Sequence, residues 1–346
     1  MTEIKSKSTA KLNNQIKPNL YAPKNQIIFN SYTLLKNNTL AEKKEILLEK
    51  LKSKTKPNSY KRYLGTPLRY AGGKSLAVGH IVNLLPNNIE KVVSPFLGGA
   101  SVEIALAKEL DLEVIGYDIF DILINYWNYQ INEPEKLANK LKNFKPTKAE
   151  YSKVREIMKK HWKGEKKITG LELAATYYFN HNTSYGPHFL GSQSSVYLQE
   201  DRYQKTIEKV RNFDCKNLKA FCESFETVIP KHKNDFLYCD PPYYLDDDSK
   251  MFVGMYPHRN FPIHHLGFKH ELLRDLLKEH KGGFILSYND CSTIREWYKD
   301  FNIISPSWQY TFSQGDTRIG KNRLDNNNGS HVKKSHELII WMDPIK

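Results

Sequence analysis

Cysteine is scarce in this sequence, four in 346 residues, and no two form a CxxC pair. Cys215, Cys222, Cys239 and Cys291 therefore suggest neither a disulfide framework nor a thiolate metal site. Cys239 and Cys291 sit in apolar, strand-like runs, where free thiols in a reducing compartment behave as small hydrophobes. Long apolar runs are missing. No stretch approaches the roughly 20 residues of a membrane-spanning helix. Met1 to Asn14 is polar and Lys-rich where a secretion signal would be apolar. A cytoplasmic protein with no membrane partner is expected. There is no HExxH, no Cys/His zinc pattern and no EF-hand loop, so no metal is expected. Asp246-Asp247-Asp248 reads as a solvated loop rather than a metal cluster. Gly72-Gly73-Lys74-Ser75 is no phosphate loop, because Leu68 stands where that pattern needs Gly. Acids are outnumbered: 38 Asp and Glu against 52 Lys and Arg leave a net charge of +14. Such a surplus points to a polyanion, nucleic acid first.

What is present centres on Phe236-Leu237-Tyr238-Cys239-Asp240-Pro241-Pro242-Tyr243-Tyr244. Phe236 to Tyr238 are strand-prone and apolar. Asp240 puts a carboxylate at the strand's C-terminal end. Pro241 and Pro242 fix two φ angles and keep the residues before them extended. Asp240 and the Pro241 carbonyl become a fixed pair of acceptors, with the flat ring of Tyr243 beside them. Two acceptors next to a ring suit a planar heterocycle with an exocyclic amino group, such as adenine or cytosine. The same residues also fit a Pro-rich turn capped by Asp240.

Around this turn the chain reads as an α/β protein. Residues 1–57 form a basic extension with one helix, Leu40–Lys52, behind the capping box Thr39-Leu40-Ala41-Glu42. Gly72-Gly73 permits an unusual backbone, with Lys74 opening a helix to about Leu85. Glu90–Ser94 is a strand, Pro95–Ser101 a Gly-rich turn and Val102–Glu109 a helix: the first βα turn of a doubly wound sheet. About twenty residues on, strand Glu113–Asp118 ends in an acid suited to ribose hydroxyls. Residues 126–215 are mostly helical and basic, with helices expected at 134–144, 148–162 behind Thr147, and 171–180. The loop 181–192 carries turn residues, aromatics and small polar groups, fit either for touching bases or for ordinary surface. Further strands are expected at 218–225, 235–239, 282–289, 302–312 and 336–341. Helices are expected at 269–280 and 292–298. A lid is expected at 244–263. A basic flap between the last two strands carries Arg318, Lys321 and Arg323.

With these pieces in order, residues 67–341 resemble the Dam-type, alpha-group DNA adenine-N6 methyltransferases. The resemblance rests on Leu68-Arg69-Tyr70-Ala71-Gly72-Gly73-Lys74, Pro95-Phe96-Leu97-Gly98-Gly99, Tyr117-Asp118-Ile119 with Leu123-Ile124-Asn125, Cys222-Glu223-Ser224-Phe225, Tyr238–Tyr243, and Ile285-Leu286-Ser287 leading to Arg295–Tyr298. It implies a class I methyltransferase fold: a Rossmann-like seven-stranded sheet with its last strand antiparallel. Residues 58–125 and 216–346 would be the catalytic domain, and the helical insert 126–215 the target-recognition region. It implies S-adenosylmethionine as donor, held by Tyr70, Lys74, Phe96, Gly98, Asp118, Glu223, Ser224, Phe225 and Asp240. Lys74 would lie near the methionine carboxylate, Asp118 would hold the ribose, and Glu223 to Phe225 would meet the adenine. Asp240, Pro241, Pro242 and Tyr243 would be catalytic, gripping an adenine flipped from double-stranded DNA. His181, Asn182, Tyr185, His188 and Arg259, with the flap's Arg318, Lys321 and Arg323, would contact DNA.

Two departures stand beside the donor. Ser94 replaces the acid that usually precedes Pro-Phe, and Ala100 replaces the third glycine. Cytosine-N4 methylation can use the same turn, and Ser94 leaves room for a non-catalytic DNA-binding relic. A monomer or weak dimer, with a cognate restriction endonuclease as a further partner, is compatible with the resemblance.

Overall fold

The computed structural model describes residues 38–53, 59–244, 267–306 and 337–345. The expected lid from 245 onward with Arg259, the flap with Arg318, Lys321 and Arg323, and most of the N-terminal extension lie outside the described residues.

Among the described residues, seven short runs of β-branched, aliphatic and aromatic residues pair into one sheet: β1 (Lys91–Ser94), β2 (Glu113–Asp118), β3 (Leu218–Cys222), β4 (Phe236–Cys239), β5 (Phe284–Asn289), β6 (Asn302–Ile304) and β7 (Glu337–Met342). Their order is β3-β2-β1-β4-β5-β7-β6. The first five are parallel neighbours, while β7 runs antiparallel to both β5 and β6. This is the class I methyltransferase topology that the resemblance implied. The chain winds outward from β1 to β3, then returns to β4 beside β1. That reversal opens a crevice at the carboxyl ends of β1 and β4, the usual place for a ligand in an open α/β sheet.

Helices cover both faces: α1 (Leu40–Leu51), α2 (Val78–Leu84), α3 (Ser101–Glu109), α4 (Asp121–Asn132), α5 (Pro134–Leu141), α6 (Lys148–Trp162), α7 (Gly170–Asn182), α8 (Glu200–Arg211), α9 (Phe225–Lys231), α10 (His270–Glu279) and α11 (Ser292–Trp297). Alternate strand residues feed two cores. Val92, Phe236 and Tyr238 join the cluster under α1 to α8, while Val93, Leu237 and Cys239 join the cluster under α9 to α11. The period of two carries Asp240 to the side of Phe236 and Tyr238. The described residues from Leu40 onward form one compact unit. α1 belongs to it: Leu47 and Leu51 are buried, and the Lys44 ammonium donates to the Leu85 carbonyl and to Asn87 Oδ1. Burial lowers the Lys44 pKa. The helices of 126–215 share the core of the sheet, with Tyr126, Trp127, Tyr177 and Tyr178 all fully buried.

Several boundaries differ from expectation for local reasons. Lys74 does not open a helix: residues 71–77 are turn, and α2 starts at Val78. The third strand stops at Cys222, because Ser224 caps α9 by accepting the Glu226 N–H. The helix at 134 ends at Leu141, short of Phe144. Cys291 lies past β5 as the N-cap of α11. α8 was not expected at its present limits. α6 has the expected bounds, and Thr147 accepts the Glu150 N–H as its cap.

Candidate active site

The Asp-Pro-Pro-Tyr turn leaves β4 at the crevice, and its carboxylate meets a lysine. Lys74 Nζ lies 2.7 Å from Asp240 Oδ1; the lysine side chain is 3 % exposed, while Asp240 keeps 20 % of its surface open to the cleft. The same ammonium donates to the Gly72 carbonyl at 3.0 Å, so the Gly72 turn, φ +75°, aims it. Burial pushes the Asp240 carboxyl above its ordinary range, and the Lys74 ammonium opposes that rise. Lys74 also stands 4.9 Å over the ring of Tyr243. Asn289 at the end of β5 donates to the Tyr244 carbonyl at 2.6 Å, pinning the turn. The Tyr243 hydroxyl donates to the carboxylate of Glu337, itself 2 % exposed at the start of β7. Asp240, Tyr243 and Lys74 line one cleft with Tyr70, Phe96, Gly98, Asp118, Glu223, Ser224, Phe225, Pro241 and Pro242. Every residue expected at the donor pocket or the catalytic turn borders this cleft.

The Gly-rich turn forms the cleft's floor. Gly98 has φ +46°, and an added Cβ there would meet the Tyr70 ring at 3.1 Å. At Gly99 it would meet the Tyr70 Cβ at 2.5 Å. The close approach that demands glycine is thus made by Tyr70. Asp118 fastens the turn: Oδ2 accepts the Gly98 N–H at 3.0 Å and Oδ1 the Phe120 N–H at 2.9 Å. Burial raises its pKa while these backbone bonds work against the rise. Each oxygen keeps a second lone pair for a ligand hydroxyl. Trp127 Nε1 donates to the Gly98 carbonyl at 2.9 Å from the other side. Ala100, in the third-glycine position, holds φ 52° as the N-cap of α3. A methyl-bearing residue there costs roughly 1 kcal/mol relative to glycine.

Two acids in the site were missed by sequence reasoning. Glu103 is 2 % exposed and lines the cleft; Ser94 Oγ donates to its Oε1 at 2.6 Å. Burial pushes Glu103 up to about 8; the Ser94 bond, its own backbone N–H and Lys74 work against the rise, and Asp240 adds to it. The absent acid at position 94 is therefore matched by an acid nine residues on, bonded to the serine. A lone Glu within the apolar run Val102–Ala107 was the available signal, since burying a charge needs a reason. Glu337 carried a fainter one, an acid directly ahead of Leu338-Ile339-Ile340-Trp341.

The residues expected to read bases divide. His181 and Asn182 are not in a loop but in the last turn of α7, 4 % and 3 % exposed. Asn182 Oδ1 accepts the Arg69 N–H at 2.9 Å, and His181 Nε2 faces the Arg69 carbonyl at 3.1 Å. Burial pushes His181 down to about 3, so it is neutral at ordinary pH. These side chains strap the segment before Tyr70, and the sequence pattern mistook a buried polar helix end for a loop. Tyr185 is 61 % exposed and His188 half-buried. Pro187 and Phe189 beside them wall the cleft. Among the described residues, no three His, Cys, Asp or Glu cluster as a metal site, and no helix is long and apolar enough to cross a membrane.

A family model for D12 class N6 adenine-specific DNA methyltransferases matches residues 70–312. A type II methyltransferase, M1.LlaDCHI of Lactococcus lactis subsp. cremoris, is 26 % identical over 68 % of this chain and 84 % of its own length. The DNA adenine methylase of Vibrio cholerae is 24 % identical over 75 % of this chain and 92 % of its own. The modification methylase StsI of Streptococcus sanguinis is 24 % identical over 85 % of this chain but 45 % of its own length, so the chain spans less than half of that relative.

Proposed function

This chain belongs to the D12 class of N6 adenine-specific DNA methyltransferases, and from that premise we propose how its own residues carry the transfer. The reaction moves a methyl group from S-adenosylmethionine to the N6 amino group of adenine in DNA. The cleft's residues fit such a donor. Asp118 ends β2 where a ribose would lie, Phe96 and Phe225 pack 5.5 Å apart at the wall, and Glu223 offers an acid to a cationic molecule. S-adenosylmethionine supplies a methyl carbon bonded to positively charged sulfur, ready for displacement.

The Lys74–Asp240 ion pair, facing the ring of Tyr243, carries the reading. Tyr243 stacks the adenine extruded from the duplex, which offsets part of the few kcal/mol of unstacking. Asp240 and the Pro241 carbonyl accept the two amino hydrogens, turning the nitrogen lone pair out of conjugation. Lys74 keeps Asp240 ionised and fixed in direction, so the acceptor needs no rearrangement as charge develops. The nitrogen gains its new substituent before it loses a proton, and Asp240 is the nearest acceptor for that proton. Glu337 holds the hydroxyl of Tyr243 and so sets the tilt of the stacking ring. Residues 126–215 form the target-recognition part, with Tyr185 and His188 close in sequence to the cleft-lining Pro187 and Phe189. Arg259, Arg318, Lys321 and Arg323 complete the DNA contacts. The type II relatives favour a cognate endonuclease as the chain's working companion.

The test is methylation of DNA from a methylation-null host, followed by mass spectrometry of its nucleosides. The chain should produce N6-methyladenine. Asp240→Asn should lose on the order of 100-fold or more in rate while keeping its fold and most of its DNA affinity. N4-methylcytosine in the digest would point to the cytosine reading, and Asp240→Asn activity within about tenfold of wild type would refute the assignment.

A further inference from the structure

We infer that the C-terminal end of α6 and the turn behind it form a phosphate-binding ridge that seats the backbone of double-stranded DNA beside the cleft. The inference rests on the methyltransferase reading and names a surface for its substrate. From Lys145 to Lys167 the chain carries nine Lys and Arg against three Glu, a surplus of six within a whole-chain charge of +14. α6 turns Tyr151, Val154 and Met158 inward, at helical spacing, which leaves its charges outside. Lys159, Lys160, Lys163, Lys166 and Lys167 are all exposed.

The turn bunches them. Gly164 has φ +78°, and the N–H groups of Glu165 and Lys166 both return to the Lys160 carbonyl, at 2.9 and 3.2 Å. Lys166 is thereby folded back toward Lys160 instead of running on from it. Among the described residues, Lys159, Lys160, Lys166 and Lys167 meet no acid within ion-pair distance, and Lys163 meets Glu165 at 3.7 Å on open surface. Basic residues at a helix C-terminus complement its dipole, which accounts for Lys159 and Lys160 but not for those beyond the helix. Cations gathered with so little local compensation repel one another and suit a polyanion.

The ridge is joined to the cleft. Trp162 sits edge-on to Phe189 at 5.1 Å and to Phe120 at 6.0 Å, and both rings line the cleft. Arg155 Nε donates to the Leu190 carbonyl, and the Tyr151 hydroxyl to the Gly191 carbonyl, each at 2.8 Å. A base entering the cleft would bring its own duplex close to these lysines. Phosphate contacts of this kind position DNA without reading sequence.

The test uses the full chain with all five lysines changed to Gln, against a control with Lys233, Lys278 and Lys281 changed to Gln near the amino ends of β4 and β5, the strand ends away from the cleft. Binding to a fluorescein-labelled random duplex is measured between about 50 and 200 mM salt. Each lysine that releases a counterion contributes about 0.9 to the slope of log affinity against log salt. The ridge variant should lose about two or more of that slope, at least twice the control's loss, with donor affinity unchanged in both. A smaller loss, or one that the control matches, overturns the ridge. The slope is read without catalysis, so wild-type methylation with an unchanged ridge slope would remove the ridge and leave the function standing.

Discussion

At the scale of the residue, the site is a set of short polar contacts between side chains that the sequence keeps far apart. Glu337 acts on Tyr243 through a hydroxyl bond, and that dependence can be measured. Tyr243→Phe keeps the ring and removes the hydroxyl; Glu337→Gln keeps the shape and removes the charge. Each should lower kcat several-fold, and the double variant should be no worse than the poorer single, because both delete one interaction. Full additivity in this cycle would show that Glu337 works elsewhere. The Asp-Pro-Pro-Tyr turn at the end of β4 was legible because its residues are contiguous and stiff. Lys74 was named from the sequence for the donor's carboxylate, but its ion pair with Asp240 depends on the φ of Gly72. Glu103 escaped notice because no local pattern says that Ser94 will meet it.

At the scale of the element, α7 does two tasks. Its apolar middle is core, and its final turn fastens the strand-like segment that carries Tyr70. Arg69 reaches back as well, with Nη1 donating to the carbonyls of Asn182 and Ser184 at 2.7 and 3.1 Å. Removing the amide should loosen this strap. Asn182→Ala should cost about 1–3 kcal/mol in denaturant unfolding, since it deprives the Arg69 N–H of its acceptor. It should also raise the donor Kd, because Tyr70 packs on Gly98 and Gly99; an unchanged donor titration would mean the strap and the pocket are independent. Strand positions were readable from short, mostly apolar runs, and α6 from its cap and stripe. The C-terminal end of α7 was not, because His181, Asn182 and Thr183 look like loop residues, and Arg69, which holds the first two inside, lies more than a hundred positions away.

At the scale of the whole molecule, an acid held protonated inside the cleft makes stability depend on pH. Glu103 titrates near its reference of 4.5 when unfolded and at about 8 when folded. Its folded pKa is raised, so its contribution is complete below about 4.5, declines as pH climbs, and is fully lost above about 8. Glu103→Gln stays neutral throughout and can still accept from Ser94. The melting temperature of the variant minus that of the wild type should therefore grow between these limits, measured without donor; a constant difference would place the titration elsewhere.

The indole of Trp127 grips the Gly98 carbonyl while the same helix, α4, lies against α7 in the common core. The part of the chain proposed to face the nucleic acid and the Gly-rich loop of the cleft are consequently one stiff piece. If residues 126–215 read the target as proposed, they cannot be exchanged as a cassette, since each replacement would have to bring its own tryptophan to the same carbonyl.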